Sequence, residues 1–185
     1  MKRILLAGLL AGLAMFVWQS IAHMVLPLGF VGVRELPGEA AVLGALQGAL
    51  GENSGLYIFP AVGPEGMKDY GQRLAANPSG LLIYHPPGAS GISPGQLLTE
   101  FLSELVEAML AVWLLSRSAV QAFGRRVGFV AAIGVLAAIT TNVSYWNWYG
   151  FPGAYTASYM GMQFAGFVVA GLVAAAMLRP VKFPA

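Results

Sequence analysis

The chain has 185 residues, of which 57% are apolar and 10% charged, with ten Lys and Arg against eight Asp and Glu. Soluble domains carry about a quarter charged residues, so a water-soluble globule would lack the polar surface to cover itself. Cysteine is absent, which excludes disulfides and thiol catalysis, and a net charge of +2 offers no basic stripe for nucleic acid.

These limits predict an all-α membrane protein, a four-transmembrane-helix bundle with a small extracytoplasmic α/β cap between helices 1 and 2. About 20 mostly apolar residues cross a hydrocarbon core of about 30 Å. The expected division is residues 1–29 as helix 1, 30–95 as cap, 96–117 as helix 2 and 118–126 as cytoplasmic loop. Helix 3 then takes 127–149, an outer turn takes 150–153, and 154–185 form helix 4 with a cytoplasmic tail.

Helix 1 follows Lys2 and Arg3 as an apolar run from Ile4 to Leu28. It is too long for a secretory signal, and no clear small-x-small cleavage site follows. Gly8 and Gly12 form a small-xxx-small pair, and Gln19, Ser20 and His23 stand near the far end.

In the cap, Val42, Leu43, Leu46 and Leu50 recur at helical spacing over Glu39–Leu50, predicting an amphipathic helix. Two similar segments, Gly55–Pro60 and Gly80–His85, each begin at Gly and stop at Pro, which cannot donate to a ladder. They are expected as paired short strands, with a polar helix between them from Glu65 to Ala76. His85 reads as a solvated residue.

Helix 2 opens on Ser93-Pro94-Gly95-Gln96, a capping box with Pro in the first turn. Glu100, Glu104 and Glu107 follow at spacings of four and three, which places them on one face, with Ser103 beside them. A charged side chain at mid-membrane costs at least ~2.5–3.5 kcal/mol, and no span core holds Lys or Arg to neutralise the stripe. Protonation, hydrogen bonding to neutral groups and a bound cation are the three remedies.

Helix 3 brings Thr140, Thr141, Asn142 and Tyr145 toward the same depth, ahead of an aromatic group at Trp146, Trp148, Tyr149 and Phe151 that suits a membrane interface. Pro152 and Gly153 are expected to turn the chain. Helix 4 contributes Tyr159 and Gln163 on one face, with Met160 and Met162 nearby, and the small pairs Gly166/Ala170 and Gly171/Ala175. Such pairs serve close packing within the bundle or a seam for a second copy.

Lys2, Arg3, Arg117, Arg125, Arg126, Arg179 and Lys182 flank the spans on one side, while Arg34, Lys68 and Arg73 are spread along the cap. The first side is expected to be cytoplasmic, placing the chain in the cell inner (plasma) membrane with both termini inside.

Polar groups from all four helices thus converge on the outer half. The leading reading is a site that binds a cation or protons, for transport or metal handling, through Glu100, Glu104, Glu107 and His23. Gln19, Ser103, Asn142, Tyr145, Tyr159 and Gln163 would support it. A divalent metal would rest on His23 and Glu104, with Glu100, Glu107 or Met160 as further ligands. The alternative is an accessory or assembly subunit of a larger membrane complex, the polar cluster forming a contact or cofactor-lining surface. A register-fixing hydrogen-bond network is the bland reading. An intramembrane enzyme built on Ser103, Glu104 and His23 is the weakest, because nothing marks Ser103 as activated. The partners expected are the lipid bilayer and other copies or subunits, with no nucleic acid.

Overall fold

A computed structural model describes residues 1–64, 66–88 and 91–178. Arg179 and Lys182, used above to orient the chain, and Glu65, the expected start of the polar helix, lie outside the described residues. The chain forms two compact units: Met1–Val33 together with the chain from Ile92 onward, and Arg34–Gly91.

The first unit holds four long helices. Helix α1 spans Lys2–Ser20 and runs on into a π-type turn, Ile21–Val25. Helices α4 (Pro94–Arg117), α5 (Phe123–Tyr149) and α6 (Gly153–Met177) complete it. Three of the four, the α1 segment Lys2–Val25, α5 and α6, are long and apolar enough to cross a membrane. This marks the chain as a membrane protein. Helix α4 has the length, 24 residues, but Glu100, Glu104 and Glu107 lower its hydropathy below that of the others. Three of the four expected spans thus meet the test, and the acidic α4 packs against them. Helix α5 also begins earlier than expected, so Arg125 and Arg126 lie within it.

The helices are arranged as a row, α4–α1–α6–α5, with α4 meeting α5 and α6 only sparingly. Glycines set the spacing. A Cβ built on Gly12 would fall 2.8 Å from the Leu105 Cα, and one on Gly8 3.2 Å from the Met109 Cα. Phe16 meets Phe101 edge to face at 5.3 Å. These contacts run antiparallel in a single register. On the other side of α1, Gly166 accepts Met15 and Trp18, and the Trp18 indole N–H donates to the Met162 carbonyl at 2.9 Å. Gly134 lies against Phe167, and Gly171 against Val127 and Val130. All the small-residue pairs of α1 and α6 are thus used inside the chain, as the intramolecular reading expected.

The apolar core gathers Ala7, Ala11 and Met15 with Ala108, Ala111, Val112, Leu115, Val130, Phe167, Ala170, Ala174 and Leu178. It occupies the end of the unit where α1 begins and α6 finishes, here the termini end. The opposite end, where α1 finishes and α4 begins, is the loop end. The α4 start follows the expected capping box: Ser93 Oγ accepts from the Gln96 N–H at 3.2 Å, and the Ser93 N–H donates to Gln96 Oε1 at 2.8 Å. Between α5 and α6 the left-handed turn residue is Gly150, at φ +70°. Gly153 is instead the first residue of α6.

The second unit matches its expected elements closely. Helix α2 spans Glu39–Leu50, β1 Gly55–Phe59, α3 Met67–Ala76 and β2 Gly80–Tyr84. The strands pair antiparallel, from Gly55 opposite Tyr84 to Phe59 opposite Gly80. Tyr84 is buried, and its hydroxyl donates to the Gly51 carbonyl at 2.9 Å, tying β2 to the end of α2.

Replacing Gly12 by Leu should destabilise the protein by about 1–3 kcal/mol, because overpacking forces backbone shifts. Gly161 is exposed with open space around it, and Gly161→Ala should be neutral or stabilising by up to about 1 kcal/mol. Thermal unfolding of both variants in detergent checks the contrast.

Candidate functional site

The close α1–α4 contact decides which way the α4 face points. Leu105 and Met109 are taken up by the α1 glycines. The neighbouring stripe of Glu104, Ala108, Ala111, Val112 and Leu115 is buried. Glu104 is its last member toward the loop end and is only 3% exposed. Neither of its carboxyl oxygens has a hydrogen-bond partner.

The other acids behave differently. Glu100 is exposed and Glu107 half-buried. Ser103 is also exposed, and its hydroxyl donates to the Glu100 carbonyl of its own helix at 2.9 Å. The acids therefore do not all turn inward together, as a shared site would require. One turn of helix sweeps 360° in 3.6 residues, so spacings of four and three spread a stripe about its edge.

The register of α1 against α4 fixes the levels. Gly8 opposite Met109, Gly12 opposite Leu105 and Phe16 opposite Phe101 place Glu104 level with Leu13. His23 is ten residues further along α1, about 15 Å toward the loop end at 1.5 Å per residue. The expectation that His23 and Glu104 share one level is thus corrected. By the same register His23 stands level with Pro94, the first residue of α4, and Glu104 lies ten residues inside that helix, whereas counting inward from the expected span ends at Leu28 and Gln96 brings the two closer together. Among the described residues, no three His, Asp or Glu side chains gather as a metal-holding group. The expected metal set of His23 and Glu104 with Glu100, Glu107 or Met160 is therefore not assembled.

What the structure does assemble is a series of polar steps. At the loop end, His23 Nδ1 lies 3.0 Å from the Gln19 carbonyl. A carbonyl only accepts, so Nδ1 carries a hydrogen and donates it. The His23 ring meets Tyr159 edge to face at 5.8 Å, and Tyr155 lies 4.4 Å beyond Tyr159. Gly29 covers the ring, since a Cβ there would fall 2.6 Å from His23 Cδ2. Ser158 donates to the Leu28 carbonyl at 2.9 Å, holding this turn to α6.

An amide layer lies next. Gln163 Oε1 accepts from Asn142 Nδ2 at 3.4 Å, joining α5 to α6. The Trp18–Met162 bond puts Gln19 at the same level, and the buried Gln19 Oε1 has no partner. Glu104 lies deepest, about six residues or 9 Å below Gln19 along the helix. Tyr145 does not join these groups. It is 45% exposed and stacks on Phe151 at 5.4 Å, within the aromatic cluster at the α5–α6 turn. Thr140 and Thr141 are likewise exposed.

Sequence reasoning missed the Trp18 bond that levels Gln19 with Gln163, and the Gly29 cover over His23. The Gly29 signal was a glycine six residues after the histidine. Because the chain has no cysteine, single thiols can report the burial pattern. A water-soluble maleimide should label Glu104→Cys at least about tenfold more slowly than Glu100→Cys, since thiol reactivity follows exposure. Equal rates would place Glu104 on the surface. No known family, no curated protein and no solved structure matches this chain.

Proposed function

We propose that this is a polytopic inner-membrane protein that takes up a proton or another small cation at Glu104 from the loop end, in transport or ion-coupled work. The observation that carries this reading is the Glu104 carboxyl, buried with both oxygens unpartnered. An ionised carboxylate without a partner in a low-dielectric interior costs several kcal/mol, and among the described residues no basic side chain reaches Glu104 to offset it. Ionisable groups held at such depth are functional by default. A single inward carboxyl beneath an amide layer suits a proton better than a divalent ion, which takes six or more oxygens. His23 and Gln19 supply polar stations on the way.

Peptide mapping after treatment with a hydrophobic carbodiimide, which adds to protonated buried carboxyls, tests the proposal. The adduct should appear on Glu104, fade as pH rises, and vanish in Glu104→Gln. Proton uptake by proteoliposomes should be lost in the same variant. An unlabelled Glu104, or undiminished uptake in Glu104→Gln, would overturn the assignment. Glu104→Leu should raise thermal stability by about 1–3 kcal/mol by removing an unsatisfied group, since a site kept for function is held at a cost in stability.

The alternative, an accessory or assembly subunit of a larger membrane complex, is favoured by a different observation. Glu100, Thr140 and Thr141 are exposed, on faces that a neighbouring subunit could cover. Cross-linking through Thr141→Cys in native membranes, yielding one stoichiometric membrane partner, would support that reading.

A further inference from the structure

The termini end of the helical unit carries a second polar feature that proton or cation binding does not use. A cavity of about 200 Å³ opens there between α1, α4 and α5, lined by Arg3, Ile4, Leu115, Val120, Arg126 and Leu178, with Ser116 and Ser118 at its edge. One water needs roughly 10–15 Å³ on the same measure, so the space admits a larger group. Arg126 is only 5% exposed. Its Nη1 donates to the Leu178 carbonyl at 2.9 Å, and Arg3 Nε donates to the Met177 carbonyl.

Each guanidinium has five N–H donors, and one bond to a carbonyl leaves its charge unbalanced. Among the described residues no carboxylate is at hand to balance it: the eight Asp and Glu of the sequence all fall between Glu35 and Glu107. The last of them, Glu107, lies eight residues before Leu115, about 12 Å along α4. The Ser116 and Ser118 hydroxyls already donate to the Trp113 and Leu115 carbonyls, which leaves the arginines as the donors facing the cavity. Two guanidinium groups at one opening match a phosphate, which accepts from Arg in bidentate fashion.

We propose that this cavity binds the phosphate of an anionic phospholipid, with Arg3 and Arg126 as its ligands. The source is indicated by what adjoins it. Ile4 also lines an apolar groove of about 450 Å³ between α1 and α4, with Leu5, Val106, Met109, Leu110 and Trp113. A cationic opening that shares Ile4 with an apolar groove suits a headgroup and its acyl chain, and basic pockets between membrane helices hold such headgroups. Free phosphate would fill the opening and leave the groove empty.

The test uses full-length protein, stripped of lipid in detergent and titrated with phosphatidylglycerol, phosphatidylcholine or inorganic phosphate, with native mass spectrometry and thermal shift as readouts. Phosphatidylglycerol should bind and stabilise. Arg3→Gln, at an exposed position, should weaken that binding about tenfold or more, as loss of a charged hydrogen bond does, and Arg125→Gln should not. Arg126→Lys keeps the charge but loses the fork, and should weaken binding with the fold intact. Equal binding of phosphatidylcholine, or undiminished binding in both Arg3→Gln and Arg126→Lys, would overturn the site. Inorganic phosphate as effective as phosphatidylglycerol would overturn the lipid as its source.

Discussion

The contact of the α1 glycines with Leu105 and Met109 determines how α4 is rotated, and that rotation determines everything proposed for this chain. A helix approached this closely has little freedom to turn about its axis, because the Leu105 and Met109 backbones rest where a Cβ would otherwise stand. With those two residues fixed against α1, Glu104 must enter the buried stripe, and Glu100 and Ser103 must leave it. A hydrophobic drive cannot choose between such rotations in lipid, where the surroundings are as apolar as the interface. Close van der Waals packing of small residues can. The acid is buried because glycine geometry leaves it no other direction, and the stability spent on it comes from the tight seam beside it.

The sequence made the elements legible, since each had a local signal. The Ser93–Gln96 box, the Gly-to-Pro strand segments and the Glu39–Leu50 periodicity all appear within a residue or two of where local physics puts them. What was not legible was level and facing. Depth counted inward from helix ends presumes that all ends lie in one plane. In the register that the glycine contacts set, His23 stands level with the first residue of α4, while Glu104 lies ten residues inside that helix. Facing failed for a related reason. The spacing of Glu100, Glu104 and Glu107 says that they are neighbours on a helix, but not which of them a partner helix will cover. That depends on Gly12 meeting Leu105, a contact between residues 93 positions apart.

Charge is sorted along the chain as sharply as polarity is. Acidic residues are confined to positions 35–107, while seven of the ten Lys and Arg fall at positions 2–3 and 117–182. Two of these, Arg3 and Arg126, reach the last carbonyls of α6. Cations there complement the negative end of the helix dipole, yet a dipole's half-charge cannot balance two guanidinium groups. The imbalance is useful only where anions are supplied from outside, and a bilayer surface rich in anionic headgroups supplies them. The same sorting leaves the opposite half of the unit with acids and, among the described residues, no Lys or Arg, so the two proposed sites take ligands of opposite sign.

A cluster of converging acids would have argued for a metal, because several carboxylates together make a ligand set and hold one another in place. A single deep carboxyl argues for something smaller. Glu104 has no donor of its own, and the nearest polar layer, Gln19 with Gln163 and Asn142, lies about 9 Å away along the helix. A multivalent ion at Glu104 would have to shed its hydration shell for one ligand group, which is unfavourable for cations that demand six or more oxygens. A proton needs only one oxygen, and it abolishes the charge that makes the position costly. The burial that would defeat a metal site is therefore what the proposed proton site requires: whatever removes the proton from such a carboxyl must also supply the energy to leave a charge in an apolar stripe.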